Sequence, residues 1–152
     1  MSIVQAALVN DISAISELLT RGTAVDERDK GGRTPLMQAT INGRIDIMKL
    51  LLDSGANPNI QDKGGWSALH FAAQSQSAEG IELLVFYGAT VDIANSDGNT
   101  PLSGAVFNYR GNGDVVSTLL RLGADRHREN KHGVSPAKLA RKIANYDVRK
   151  FF

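Results

Sequence analysis

The chain has no cysteine. That excludes a disulfide framework, thiolate chemistry and a thiolate zinc site. No apolar run approaches the ~20 residues that would span a bilayer. The start, Met1 to Ala7, has no cationic segment, and Asp11 interrupts the short apolar stretch, so no secretory leader is expected. The chain therefore reads as cytosolic, with no membrane partner. Catalytic signatures are missing too. Arg110-Gly111-Asn112-Gly113-Asp114 has glycines but not G-x-x-x-x-G-K-[ST], and no G-x-S-x-G is present. His127 and His132 lack helical i,i+4 spacing and a nearby ligand cluster. Asn95-Ser96-Asp97-Gly98 is similar to a calcium loop but fails, because Ile93 holds the first ligand place and Gly104 the last. No active site, metal, cofactor or small-molecule substrate is expected, and the chain is not expected to be an enzyme.

What is there is a repeat. Thr34-Pro35-Leu36, Ser67-Ala68-Leu69 and Thr100-Pro101-Leu102 recur at a spacing of 33 residues, and Gly22, Gly55, Gly88 and Gly123 mark a second beat with gaps of 33, 33 and 35. A fixed period in this range is the signature of a solenoid, whose stacked units make an extended binding surface. At 152 residues, with 42% hydrophobic and 22% charged residues, the chain fits a single globular domain.

Each unit reads physically as turn, helix, turn, helix. Asp29-Lys30-Gly31-Gly32-Arg33 is turn chemistry. Thr34 stands where an N-cap is expected, with Pro35 at the first helical position, where its missing N–H costs nothing. Leu36, Ala39 and Thr40 follow at helical spacing. A second helix is expected from about Ile45 to Ser54, with Ile47, Met48, Leu50 and Leu51 inward and Gly55 as its cap. Ala6-Ala7, Ala39-Thr40, Ala72-Ala73 and Ala105-Val106 share one register, where small side chains let neighbouring helices approach. Leu18-Leu19, Leu51-Leu52, Leu84-Val85 and Leu119-Leu120 should fill the layer between helix pairs.

The pattern D-x-x-G-x-T-P-L-H-x-A-A followed by V/I-x-x-L-L-x-x-G-A resembles ankyrin repeats, here as Asp29 to Ala56, Asp62 to Ala89 and Asn95 to Ala124. The resemblance implies an all-α ankyrin-repeat solenoid of helix-turn-helix units joined by β-turn loops. About five units are expected in one domain, 1–152: a cap repeat 1–28, full repeats 29–61, 62–94 and 95–129, and a cap repeat 130–152. It also implies that loop tips and inner helices bind a partner protein, and that His70 ties one loop to the next.

Several positions depart from the pattern. Met37 and Ser103 replace the motif histidine. Gln76 and Tyr109 stand where Gly43 ends the inner helix, so both of those helix ends are expected to be rebuilt. Gly80 falls inside an outer helix, at a cost of ~1 kcal/mol against alanine. The unit from 95 is longer by two residues, and Asn108 to Asp114 is the expected site of the insertion. Insertions in solenoids map to loops on one face, often the binding face.

Trp66 is the sharpest single residue. Its equivalents Arg33, Asn99 and Val134 occupy a variable loop tip, where a lone tryptophan suits an interface anchor more than a ring folded over a neighbouring loop. Ile41-Asn42, Gln74-Ser75 and Phe107-Asn108 should line the same concave side, with Tyr109 and Arg110 extending the patch. Phe107 is equally compatible with a core position beneath the long loop. Lys30, Arg33 and Lys63 place positive charge at the rim, where it tunes association rate.

Net charge of +1 hides a polarity. Residues 1–120 carry eight Lys and Arg against thirteen Asp and Glu, a net −5, whereas 121–152 carry nine against three, a net +6. A basic end suits either a solvated cap or an acidic partner. Ser135-Pro136 opens a last helix whose Leu139, Ala140 and Ile143, with Tyr146 and Val148, should cover the stack. Lys138, Arg141, Lys142, Arg149 and Lys150 should stay outside. Phe151-Phe152 is expected to fold back onto this cap rather than protrude. No appended domain is expected, so the repeats should themselves be the functional unit, a protein-binding module acting by occlusion. Resemblance to small bacterial ankyrin proteins points to an inhibitor such as an immunity protein neutralising a toxin. A scaffold, adaptor or kinase-inhibitor-like regulator is the alternative, and nucleic-acid binding through the basic third is less expected.

Overall fold

A computed structural model describes residues 1–143 and 147–152. The described residues form nine α-helices, one closing 3-10 turn and no strand. Five short inner helices, α1 (Ile3–Leu8), α3 (Pro35–Ile41), α5 (Ala68–Gln74), α7 (Pro101–Phe107) and α9 (Pro136–Lys142), stack in sequence, each touching the next. Four outer helices, α2 (Ile12–Thr20), α4 (Ile45–Asp53), α6 (Ala78–Phe86) and α8 (Asp114–Arg121), each return along the inner helix before it.

The inner helices begin where side chains can satisfy their first amides. Thr34 and Thr100 accept from the third amide of α3 and α7 (3.3 and 3.4 Å), and Pro35 and Pro101 follow them. Ser135 caps α9 in the same way. Because Ala6, Ala7, Ala39, Thr40, Ala72, Ala73, Ala105, Val106 and Ala140 are all buried, successive inner helices pack at close range. Between the layers Ile47, Met48, Leu51 and Leu52 of α4 are buried, but Leu50 is only half-buried: the expected inward stripe is rotated by one position. At Gly80, the third residue of α6, a Cβ would lie 2.8 Å from the capping Ser77 hydroxyl, which would have to shift to admit it.

Between pairs the loops form a second ladder. Asp29, Asp62, Asn95 and Asn130 each accept with one side-chain oxygen from the amides two and four residues on, at 2.8–3.0 Å. This Asx geometry accounts for the acidic or amide residue at each turn. The loop tips bond to one another through Lys63 N to Gly31 O, Ser96 N to Gly64 O and Lys131 N to Asp97 O. At Gly65 a Cβ would fall 2.6 Å from the Ser96 amide, so this approach requires glycine.

Two inner-helix ends differ from expectation in opposite ways. The links after α1, α3 and α5 have three residues each, and their middle residues Asn10, Gly43 and Gln76 take φ of 62°, 65° and 56°. The end of α5 is therefore not rebuilt, because Gln76 itself adopts the left-handed conformation. Its side chain donates back to the Ala73 carbonyl (3.0 Å). The link after α7 runs from 108 to 113, and the left-handed turn moves to Gly111 (φ 101°).

That shift overturns the place given to Tyr109. Released from the left-handed position, its side chain turns inward and is 1% exposed, so it does not extend a surface patch. Phe151, in the closing turn Val148–Phe151, packs edge-on against it at 6.0 Å and fills the space that a Cβ at Gly113 would need. The terminal phenylalanines thus fold back as expected, but onto the insertion and onto Arg126, whose guanidinium lies 5.9 Å from the Phe152 ring. Val148 and Ala140 are buried, Leu139 and Ile143 half-buried, and the expected cap lysines and arginines exposed. Tyr146 lies outside the described residues.

Candidate protein-binding groove on the inner helices

One register of the inner helices decides the shape of the concave face. Gln38 of α3, Phe71 of α5, Gly104 of α7 and Leu139 of α9 are equivalent positions. Gln38 and Phe71 are each 5% exposed, filled in by their neighbours. At Gly104 nothing among the described residues replaces the missing side chain: a Cβ built there has none of their neighbouring atoms within 4 Å. Glycine inside a helix costs ~1 kcal/mol against alanine, and no close packing requires it here. Over it opens a cavity of about 480 Å³, between Trp66 and Phe107.

The Trp66 side of this cavity is rigidly held. The indole lies against His70 (5.5 Å between centroids) and Phe71 (5.3 Å) and is half-buried, so its ring is folded over its own helix rather than standing free. Arg33 continues the row, its guanidinium 5.2 Å above Phe71 and 3.8 Å from an Asp62 oxygen. His70 anchors the row from below. The Ser67 amide can only donate, so Nδ1 accepts from it (3.1 Å) and Nε2–H donates to the Asn99 carbonyl (2.9 Å). Burial pushes this imidazole below its ordinary value, which keeps it neutral. His70 thus ties the turn before α5 to the turn before α7.

On the far side Phe107 is 65% exposed, a large apolar ring at the end of α7 facing solvent and not a core residue. Asn99, Gln74 and Asn108 complete the sequence-expected residues brought together here. Asn99 Oδ1 accepts from Asn130 Nδ2 (2.8 Å), and Asn108 Nδ2 donates to the Gly104 carbonyl (2.9 Å). Among the described residues no Lys, Arg, Asp or Glu lines the cavity.

The remaining expected residues are elsewhere. Asn42 clamps the end of α1, donating to the Leu8 carbonyl (3.0 Å) and to Asn10 Oδ1 (3.2 Å), and Ile41 packs half-buried against the core. Lys30 lines a separate cleft with Gln5, Leu8 and Gln38. Lys63 and Ser75 are exposed, the first at a loop tip and the second at the end of α5. Arg110 turns back on its own loop, donating to the Phe107 and Tyr109 carbonyls. Sequence reasoning missed Gly104, Ser103 and Leu139 in the groove; the signal was present, since Gly104 breaks the row Gln38, Phe71, Leu139.

Among the described residues no helix is long and apolar enough to cross a membrane. No curated protein matches the chain significantly. The family model for ankyrin repeats (3 copies) matches residues 3–95 and 65–130. With the stacked helix pairs and laddered loops, this shows that the chain belongs to the ankyrin-repeat family, whose members are protein-interaction modules.

Proposed function

We propose that the groove between Trp66 and Phe107 is the surface through which this chain binds a partner protein, and that it acts by occlusion, as an inhibitor. The observation that carries this reading is an exposed Phe107 beside the unfilled cavity over Gly104. Large exposed aromatics next to a pocket are the anchors on which interface energy concentrates. The groove is preformed: Trp66 and Asn99 are fixed by intramolecular contacts, so docking loses little to ordering. Arg33 and Lys63 belong to its rim; Lys30, Ile41 and Asn42 extend the face toward α1. An immunity protein that neutralises a toxin is the form of inhibitor that suits such a surface, working in the cytoplasm and without catalysis of its own.

A scaffold or adaptor would use the same groove without blocking an activity. Nucleic-acid binding is disfavoured because much of the basic end is already engaged. Arg121 pairs with Glu82 and Lys138 with Glu129, Arg128 donates to the Asp92 carbonyl, and Arg126 and Lys150 lie over the terminal phenylalanines.

The test is capture of partners from a cell lysate, identified by mass spectrometry, with native protein and Phe107→Ala side by side. Loss of one partner with the variant is expected, and its activity assayed with and without this chain separates inhibitor from scaffold. Identical partner sets would refute the groove.

A further inference from the structure

Resting on the reading of the groove as the protein-binding face, we infer that the space over Gly104 is a pocket for one uncharged aromatic side chain, presented by a peptide segment of the partner. The floor is helix backbone, exposed because Gly104 has no Cβ and no neighbour moves in to replace it. The walls are the Trp66 indole and the Phe107 ring, with Leu139 and Val134 closing the side toward α9. Aromatic walls favour an aromatic guest, which can meet them edge-on or offset.

Charge decides against the other large side chains. A lysine or arginine entering here would lose its hydration and find no counter-ion, because no Asp or Glu among the described residues lines the cavity. An aspartate or glutamate would meet no Lys or Arg there, only the buried, neutral His70 and the exposed His132. The polar groups lining the pocket include the carboxamides of Asn99 and Asn108, which donate and accept as a peptide backbone does. Asn130 Nδ2 occupies Asn99 Oδ1, and Asn108 Nδ2 occupies the Gly104 carbonyl. These bonds use the Asn99 acceptor and the Asn108 donor, so the Asn99 amide donor and the Asn108 amide acceptor are the groups a peptide backbone at the pocket would engage.

The test titrates native protein with N-acetyl-tryptophanamide, followed by amide NMR shifts, with N-acetyl-argininamide and blocked aspartate as charged controls. Saturable shifts at Asn99, Gly104 and Phe107 are expected with the tryptophan probe alone. Gly104→Leu fills the pocket with the side chain that α9 carries at this register, and should weaken the probe by roughly tenfold or more while helical circular dichroism persists. Gly104→Ala, one methyl into open space, should fall between. Absence of pocket shifts, equal shifts from the arginine probe, or indifference to Gly104→Leu would overturn the inference. Partner capture separates the two levels. If Phe107→Ala loses the partner and Gly104→Leu keeps it, the pocket falls and the groove stands. If neither loses it, the groove falls.

Discussion

Helices α5 and α7 occupy equivalent places 33 residues apart and have been put to opposite uses. On α5 the outward positions 70 and 71 are occupied: Phe71 lies under Arg33 and Trp66, and His70 is bonded at both ring nitrogens. On α7 the same two positions are Ser103 and Gly104, and the face above them is open. Below, the contrast reverses. The link after α5 is a three-residue turn strained at Gln76, whereas that after α7 is relaxed by its insertion and pinned by Tyr109 and Phe151. A solenoid keeps its stacking surfaces constant and varies the rest. Here the repeat before the groove supplies rigidity and the repeat under it supplies vacancy.

The comparison breaks hardest at Tyr109. Tyr109→Ala removes a fully buried ring and should cost about 3–4 kcal/mol in urea unfolding, against about 1 kcal/mol or less for Arg110→Ala, which loses the bonds to the Phe107 and Tyr109 carbonyls. A similar small cost for both would mean that the insertion is not anchored.

His70→Gln should cost about 1–3 kcal/mol, since it disturbs the link between two turns. It also changes the pH profile. The folded imidazole titrates below its unfolded value of about 6.5, so the unfolded chain binds the extra proton first as pH falls. The stability from neutral His70 is complete above that value and declines below it, toward the depressed folded pKa. Unfolding followed between neutral and mildly acid pH should show this decline in native protein and a flatter profile in the variant; parallel profiles would remove His70 as the cause.

Smaller effects sharpen the contrast between the helix ends. Gln76→Gly relieves a left-handed non-glycine residue and should stabilise by up to about 1 kcal/mol in thermal unfolding, less whatever the lost bond to Ala73 contributes. Gly104→Ala should stabilise by a comparable ~1 kcal/mol, because helix propensity improves and nothing is crowded. Destabilisation by Gly104→Ala would show that the space is not open in solution.

The fold was legible because period and capping chemistry coincide: Thr-Pro at helix starts, glycine after helix ends and alanine between helices each carry a physical reason that recurs in register. The groove was legible in part. Trp66, Gln74, Asn99 and Phe107 stand at positions that the repeat leaves variable, and the structure brings them to one cavity. Tyr109 was misplaced because period gives a residue's place in the chain but not which side chain an insertion turns inward. The repeat pattern places Trp66 at an exposed loop tip and hides its contact with Phe71, which lies at a motif position that tolerates any residue. Gly104 escaped notice for the same reason, since an absence at a tolerant position stands out only beside its neighbours in the stack.

The concave face is best tested by hydrogen exchange on the complex with a captured partner. Slowed exchange is expected in the loop tips and inner helices of 64–76 and 96–108, which carry the two walls of the groove. Protection confined to 110–114, or to the basic stretch from 138 onward, would contradict it and move the binding surface off the concave face.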